Sequence, residues 1–201
     1  ATDGSRLAER TIPIISSAKI LENLIIPSAT IQDVLKVMQS QESEQIEILA
    51  EEDQVSFSVG DVTIISRLVS GDYPAYKNLI PASSDVNFSI DRADLLQTVK
   101  IAALFARESA GTIALQVDKE DQILTVNSVA NQVGENHSQI AVSTDTTGSI
   151  NLNSRYLLDA LNSFSCDLLD IRFSKGLVPF VITPNQDAKA GTANHQHIIM
   201  P

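Results

Sequence analysis

Apolar residues recur along this chain at two alternating spacings. In three stretches they return every three or four residues: Ile31, Val34, Leu35 and Met38; then Leu95, Leu96, Val99, Ala102 and Ala103; then Tyr156, Leu157, Ala160 and Leu161, with Phe164 a turn later. That spacing places each set on one face of a helix. An apolar strand is expected to end just before each helix, at Ile26, Ile90 and Leu152. A residue able to open a helix follows each: Ser28 after Pro27, Asp91, and Asn153 with Ser154. After each helix come short alternating or apolar runs, at 45–51, 54–59 and 62–69, at 112–117, 123–129 and 139–143, and at 168–173, 178–183 and 197–200. Turn-forming pieces such as Gly60-Asp61 and Ser174-Lys175-Gly176 separate them, so they read as antiparallel strands. A further strand is predicted at the start, over 6–16.

The three strand–helix boundaries begin at residues 26, 90 and 152, a nearly constant period. The chain is therefore read as a repeated unit of one strand, one helix and several antiparallel strands, and its fold class as α+β. Pro74 and Pro81 bracket a short segment, and the polar Ala82-Ser83-Ser84-Asp85 follows, which marks a linker. It divides the chain into 1–81 and 82–201. The second part holds two units and is expected to be a whole domain. The first holds one unit and the opening strand, about half of such a domain, with an unpaired sheet edge. Together with a start that reads ATDGSRLAER, this predicts that the natural chain extends upstream.

Composition narrows the class. Hydrophobic residues make up 43% of the 201 positions and charged residues 19%, which fits a globular chain with a sizeable core rather than a disordered one. No apolar run approaches the roughly 18–20 residues needed to cross a bilayer, so no membrane partner is expected, and the start carries no basic-then-apolar leader. The one cysteine, Cys166, can form no internal disulfide and suits a reducing cytoplasm. It lies in an apolar run beside Asp167 with no His partner in sequence, and reads as a structural thiol. A net charge of −11 argues against a tight grip on nucleic acid. One alternative is a metal-binding enzyme: His195 and His197, with His137, could form a metal site because alternate strand residues share a face. No acidic or Cys ligand stands near them at ligand spacing, and the glycines form no phosphate-binding or dinucleotide-binding pattern. The other alternative is a surface adhesion module, which would also be acidic and strand-rich.

Four segments taken together resemble one family. ATDGSRLA (1–8), SRLVSGDYPAYKNLIP (66–81), LNSRYLLDAL (152–161) and IIMP (198–201) are similar, in order and separation, to segments of the bacterial DNA polymerase sliding clamps, the DNA polymerase III beta subunit family. The resemblance runs over essentially the whole chain. It implies the DNA-clamp fold, in which each domain is two copies of the strand–helix–strands unit, and one and a half such domains here. Residues 1–81 correspond to the second half of the middle domain with the interdomain connector, and 82–201 to the C-terminal domain. The tail stops at Pro201, where the family commonly runs a few residues further. Asn78 stands where a basic residue is usual, and Ser5 where His is frequent.

The resemblance further implies a bacterial, cytoplasmic, non-enzymatic processivity factor with no cofactor. In its full-length form such a protein is a homodimer ring around double-stranded DNA, and this piece alone is expected to be a monomer or an artificial dimer. Polymerase, clamp-loader and repair proteins dock on it through short linear peptides, in an apolar pocket between the middle and C-terminal domains. The matching positions are Thr2, Gly4, Arg6 and Leu7; Pro74, Asn78 and Leu79; Asn153 and Tyr156; Leu177 and Pro179; and Ile198, Ile199 and Met200. The residue types suit that task. Leu, Ile, Met and Pro make an apolar floor for leucine and phenylalanine side chains, and Met adapts to several partners. Gly4 permits close backbone approach, and Tyr156 offers an apolar wall with a polar tip. Lys36, Lys100, Arg107 and Arg155 are the implied DNA-facing cations, whose loose phosphate contacts are compatible with an acidic protein. Leu104 and Phe105 match the apolar contact between subunits.

Overall fold

The structure, a computed structural model, describes residues 1–12, 23–130, 134–176, 178–185 and 194–201. In chain order the elements are β1 (Arg6–Arg10), α1 (Ser28–Ser40), β2 (Glu47–Ala50), β3 (Gln54–Val59), β4 (Val62–Arg67), β5 (Val86–Asp91), α2 (Arg92–Phe105), β6 (Thr112–Asp118), β7 (Ile123–Ala130) and β8 (Gly134–Ala141). β9 (Ser143–Thr144), β10 (Gly148–Asn153), α3 (Ser154–Ser163), β11 (Leu168–Phe173), β12 (Phe180–Pro184) and β13 (His195–Ile199) follow, and short 3-10 helices lie at Tyr76–Leu79 and Ala106–Ser109. The chain forms two compact units, one of Ala1–Pro13 with Tyr76–Pro201 and one of Ile14–Ala75. The opening strand therefore folds with the C-terminal part of the chain.

The larger unit contains two sheets, ordered β1-β13-β12-β11-β5-β9 and β10-β6-β7-β8. The sequence repeat reappears here as an exchange. β5 and β10, which lead into the two helices, each pair with the first strand of the other copy, giving β5-β11-β12-β13 and β10-β6-β7-β8 in the same order. The match extends to single bonds. Asp91 lies opposite Leu168 and Asn153 opposite Thr112. The first helical N–H of each copy donates across the exchange, Arg92 to the Asp167 carbonyl at 2.7 Å and Ser154 to the Gly111 carbonyl at 2.8 Å. Asp91 caps α2 by accepting from the N–H groups of Ala93 and Asp94, and Asn153 caps α3 by accepting from Arg155 and Tyr156. Such a cap contributes about 1 kcal/mol.

One core serves both copies. Leu95, Val99 and Ala102 of α2 and Leu157, Ala160 and Leu161 of α3 pack with the inner rows of both sheets, including Phe88, Leu115, Val126, Ile171 and Phe180. Full burial of each large apolar side chain contributes roughly 1.5–3 kcal/mol, so the exchange couples the halves through many small terms. Among the described residues the six-stranded sheet ends at β9, whose ladder joins Phe88 and Ser89. Beyond that pair, the Thr144 hydroxyl donates to the Asn87 carbonyl at 2.9 Å, and Thr146 Oγ1 accepts from the Asn87 N–H at 3.1 Å.

In the smaller unit α1 lies on the sheet β2-β3-β4. β3 alternates cleanly, with Val55, Phe57 and Val59 buried and the residues between them partly exposed. Several expectations are corrected here. Val34 is the buried residue of α1, and Met38 packs beside it, whereas Ile31 and Leu35 are exposed. No strand ends at Ile26: residues 23–27 belong to no ladder, and a single bond from the Val69 N–H to the Ile25 carbonyl (2.8 Å) ties them to the end of β4. Ser28 does not cap the helix. Pro27 occupies the cap position with φ −57° and ψ 134°, so Ser28 is already the first helical residue. The opening strand ends at Arg10, and positions 13–16 of its predicted span lie outside the described residues. β12 starts at Phe180 rather than 178, and β13 starts at His195 rather than 197. Among the described residues no helix is long and apolar enough to cross a membrane.

Candidate functional site

β1 and β13 run antiparallel, with Leu7 opposite Ile198, Arg6 opposite Ile199 and Glu9 opposite Gln196. Successive strand residues point to opposite faces. Leu7, Ile198 and Val181 of β12 therefore share one face and form a small buried apolar cluster, against which Tyr76 and Ile80 pack. Ile199 points the other way, into the main core, so it is separated from Leu7 and Ile198 and is structural. Leu79 is 55% exposed and Asn78 is exposed, in the same short 3-10 helix as Tyr76. Pro179 is buried. Pro74 belongs to the smaller unit, and Leu177 lies outside the described residues.

The turn before β1 is built by side chains. Thr2 Oγ1 donates to the Arg6 carbonyl at 2.8 Å and accepts from the Gly4 N–H at 3.2 Å. Asp3 Oδ1 accepts from the N–H groups of Ser5 and Arg6, both at 3.1 Å. Gly4 has φ +90°, and a Cβ there would meet nothing within 4 Å. Its glycine is required by backbone conformation rather than by a close neighbour. The Arg6 guanidinium is held from three sides: Nε to Asp3 at 2.9 Å, Nη1 to Asp159 of α3 at 2.6 Å, and its carbon 4.6 Å above the Tyr156 ring. Burial pushes the Asp3 carboxyl up, but the bond from Arg6 and the two backbone N–H donors outweigh it and hold it below its ordinary value. The Asn153 amide is nearly saturated, its oxygen taking two helix N–H groups and its nitrogen donating to the Ala110 carbonyl at 3.2 Å. The Met200 N–H donates to the Ser5 carbonyl at 2.9 Å and ties the tail to the turn.

Beside the apolar cluster stands Glu9. The Tyr76 hydroxyl donates to its Oε1 at 2.6 Å, and the Gln196 amide donates to its Oε2. These bonds, that from Tyr76 foremost, hold the carboxyl below its ordinary value. Val181, Tyr76, Ile80 and Glu9 were absent from the sequence-derived set. The apolar run Phe180, Val181, Ile182 marks a buried strand, but without alternation it does not show which face Val181 takes; pairing with β13 decides that. The link from Glu9 to Tyr76 spans 67 positions and leaves no local trace.

The histidines are built differently from a metal site. His195 and His197 have ring centroids 5.2 Å apart and both lie against Phe164. His197 Nε2 is 2.8 Å from Ser163 Oγ, and burial, followed by the neighbouring His195, pushes its pKa down to about 4. His137 lies in the other sheet, bonded to Asn127. Among the described residues no group of three or more His, Cys, Asp or Glu is arranged to hold a metal ion. Cys166 is buried, and burial raises its thiol pKa. Lys36, Lys100, Arg107 and Arg155 are exposed; Lys36 pairs with Asp33 at 3.0 Å. At the end of α2, Leu104 is 58% exposed and Phe105 is half-buried.

Comparison with known proteins bears on this arrangement. A family model described as "DNA polymerase III beta subunit, C-terminal domain" matches residues 77–201, and one described as the central domain of the same subunit matches residues 1–75. A beta sliding clamp of Staphylococcus aureus is 31% identical over 189 residues, covering 93% of this chain and 49% of the relative. That of Staphylococcus epidermidis is 29% identical over the same extent. A crystal structure of a sliding clamp from Bartonella birtlesii bound to griselimycin, 26% identical, superimposes with a TM-score of 0.85 and covers 100% of this chain and 53% of that one. The chain thus spans about half the length of the relatives it matches. Their names, sliding clamp and polymerase beta subunit, agree with the expectation of an accessory subunit rather than an enzyme. On the extent of these matches, the chain belongs to the DNA polymerase III beta subunit family, the bacterial sliding clamps.

Proposed function

We propose that this chain is part of a cytoplasmic processivity factor that encircles double-stranded DNA and tethers the replicative polymerase, clamp-loader subunits and repair proteins through short linear peptides. In this reading residues 1–81 supply half of the middle domain with the connector, and 82–201 supply the C-terminal domain. The observation that carries the docking role is the meeting of Leu7, Val181 and Ile198, from three strands, in an apolar cluster against which Tyr76 and Ile80 pack. Apolar side chains held by rigid strands and rimmed by satisfied polar groups suit a peptide with leucine or phenylalanine anchors. Lys100 from the middle of α2, Arg107 from just past its end, Arg155 from the first turn of α3 and Lys36 from α1 would face DNA. So few cations on a chain of net charge −11 suit loose, salt-sensitive phosphate contacts rather than a tight grip. In the ring of the full-length protein Leu104 and Phe105 would meet the other subunit.

The test is a titration of a labelled peptide of the glutamine–leucine–phenylalanine type into the chain, followed by fluorescence anisotropy. Saturable binding weakened by Leu7→Asp and by Met200→Ala is the expected result. A folded chain that binds no such peptide overturns the docking role. Competition by griselimycin, which the Bartonella relative binds, would show whether the two ligands exclude each other.

A further inference from the structure

We infer that Glu9 is a positioning residue of the docking site: its carboxylate holds the Tyr76 ring as a wall beside the Leu7–Val181–Ile198 cluster, and peptide affinity depends on that hold. This rests on the docking role proposed above. Tyr76 opens a 3-10 helix of four residues, an element too short to keep its own shape. Its ring is half-buried against the cluster, and its hydroxyl reaches Glu9 at 2.6 Å, a charge-assisted bond of the stronger kind. Glu9 is itself fixed. It sits in β1 opposite Gln196, which donates to its other oxygen. Glu9 is two residues from Leu7, and Gln196 two from Ile198, so the polar clamp and the apolar cluster are adjacent rows on one face of one sheet. The two oxygens thus have separate tasks, one taking the strand partner and the other the connector's aromatic. An aromatic wall fixed before a ligand arrives lowers the ordering cost of binding, whereas a swinging ring would have to be immobilised each time.

The same peptide titration on the full chain tests this with Glu9→Ala, Tyr76→Phe, the double variant and Glu9→Gln. Glu9→Ala and Tyr76→Phe should each weaken binding by about fivefold to tenfold. The double variant should be no weaker than Glu9→Ala alone, because one bond is being removed twice. Glu9→Gln keeps an acceptor for the hydroxyl and should recover most of the affinity. The chain has three tyrosines, so 3-fluorotyrosine gives three fluorine signals, and Tyr76→Phe identifies one of them. That signal alone should move in Glu9→Ala, which a general loss of stability would not produce. Additive losses, wild-type affinity in Glu9→Ala, or tighter binding (Tyr76 then being a cover rather than a wall) each overturn the inference. Failure of the wild type to bind any peptide would instead sink the docking role, and this inference with it.

Discussion

Arg6 Nη1 stands 2.6 Å from Asp159 Oδ2, although 153 positions separate the two in sequence. The contact joins the first strand to the last helix and fixes the guanidinium over Tyr156. Asp159 is half-exposed and Arg6 keeps Asp3, so Asp159→Asn should cost only about 0.5 kcal/mol in urea unfolding. Arg6→Ala also removes the stacking on Tyr156 and should cost about 1–2 kcal/mol. Equal effects of the two variants would show that the ring contact contributes nothing.

The two caps differ in what else they hold. Asp91→Ala removes a cap alone and should cost about 1 kcal/mol. Asn153→Ala also abandons the Ala110 carbonyl, and should cost about 1 kcal/mol more. Denaturant midpoints at unchanged slope would measure both.

Gly148 lies in β10, where a Cβ would fall well inside contact distance of Val86 Cγ2. Gly148→Ala should destabilise by about 1–3 kcal/mol, and adding Val86→Ala should recover part of that loss. An additive double variant would mean that strand relaxation, rather than the clash, sets the cost.

Acid should weaken the larger unit through His197. His197 is neutral in the fold, with its pKa pushed from 6.5 to about 4 by burial and by His195. The unfolded chain therefore binds the extra proton between those values. Stability is fully present above pH 6.5 and declines as pH falls toward 4, by roughly 1–2 kcal/mol after allowance for the ring's remaining contact with water. His197→Gln should flatten the stability curve between pH 5 and 6.5; an unchanged slope would place the titration elsewhere.

The strand–helix boundaries that mark the repeat and the two polar caps were legible in the sequence because each is local. Leu95, Val99 and Ala102 announce a helical face by spacing, and Asp91 and Asn153 announce its start. The exchange of β5 and β10 was not legible, since each makes the same alternating pattern whichever copy it joins. The site was legible in part through resemblance. Leu7 and Ile198 do lie together, but Ile198, Ile199 and Met200 form an unbroken apolar run with no alternation to reveal its facing. Register with β1 decides that Ile198 joins Leu7 while Ile199 enters the core. The Pro27 position misled for a simpler reason: Ser28 is a good cap by type, but the proline before it already occupies that place.

At Asn87, the last described ladder of the six-stranded sheet is closed by threonine hydroxyls instead of a full neighbouring strand. An extended segment from another molecule finds both main-chain groups of that residue already engaged. Self-association by strand addition is thereby discouraged at this rim. The larger unit can then be concentrated without polymerising through that rim, and recognition there is left to side chains, which discriminate between partners as a bare backbone does not.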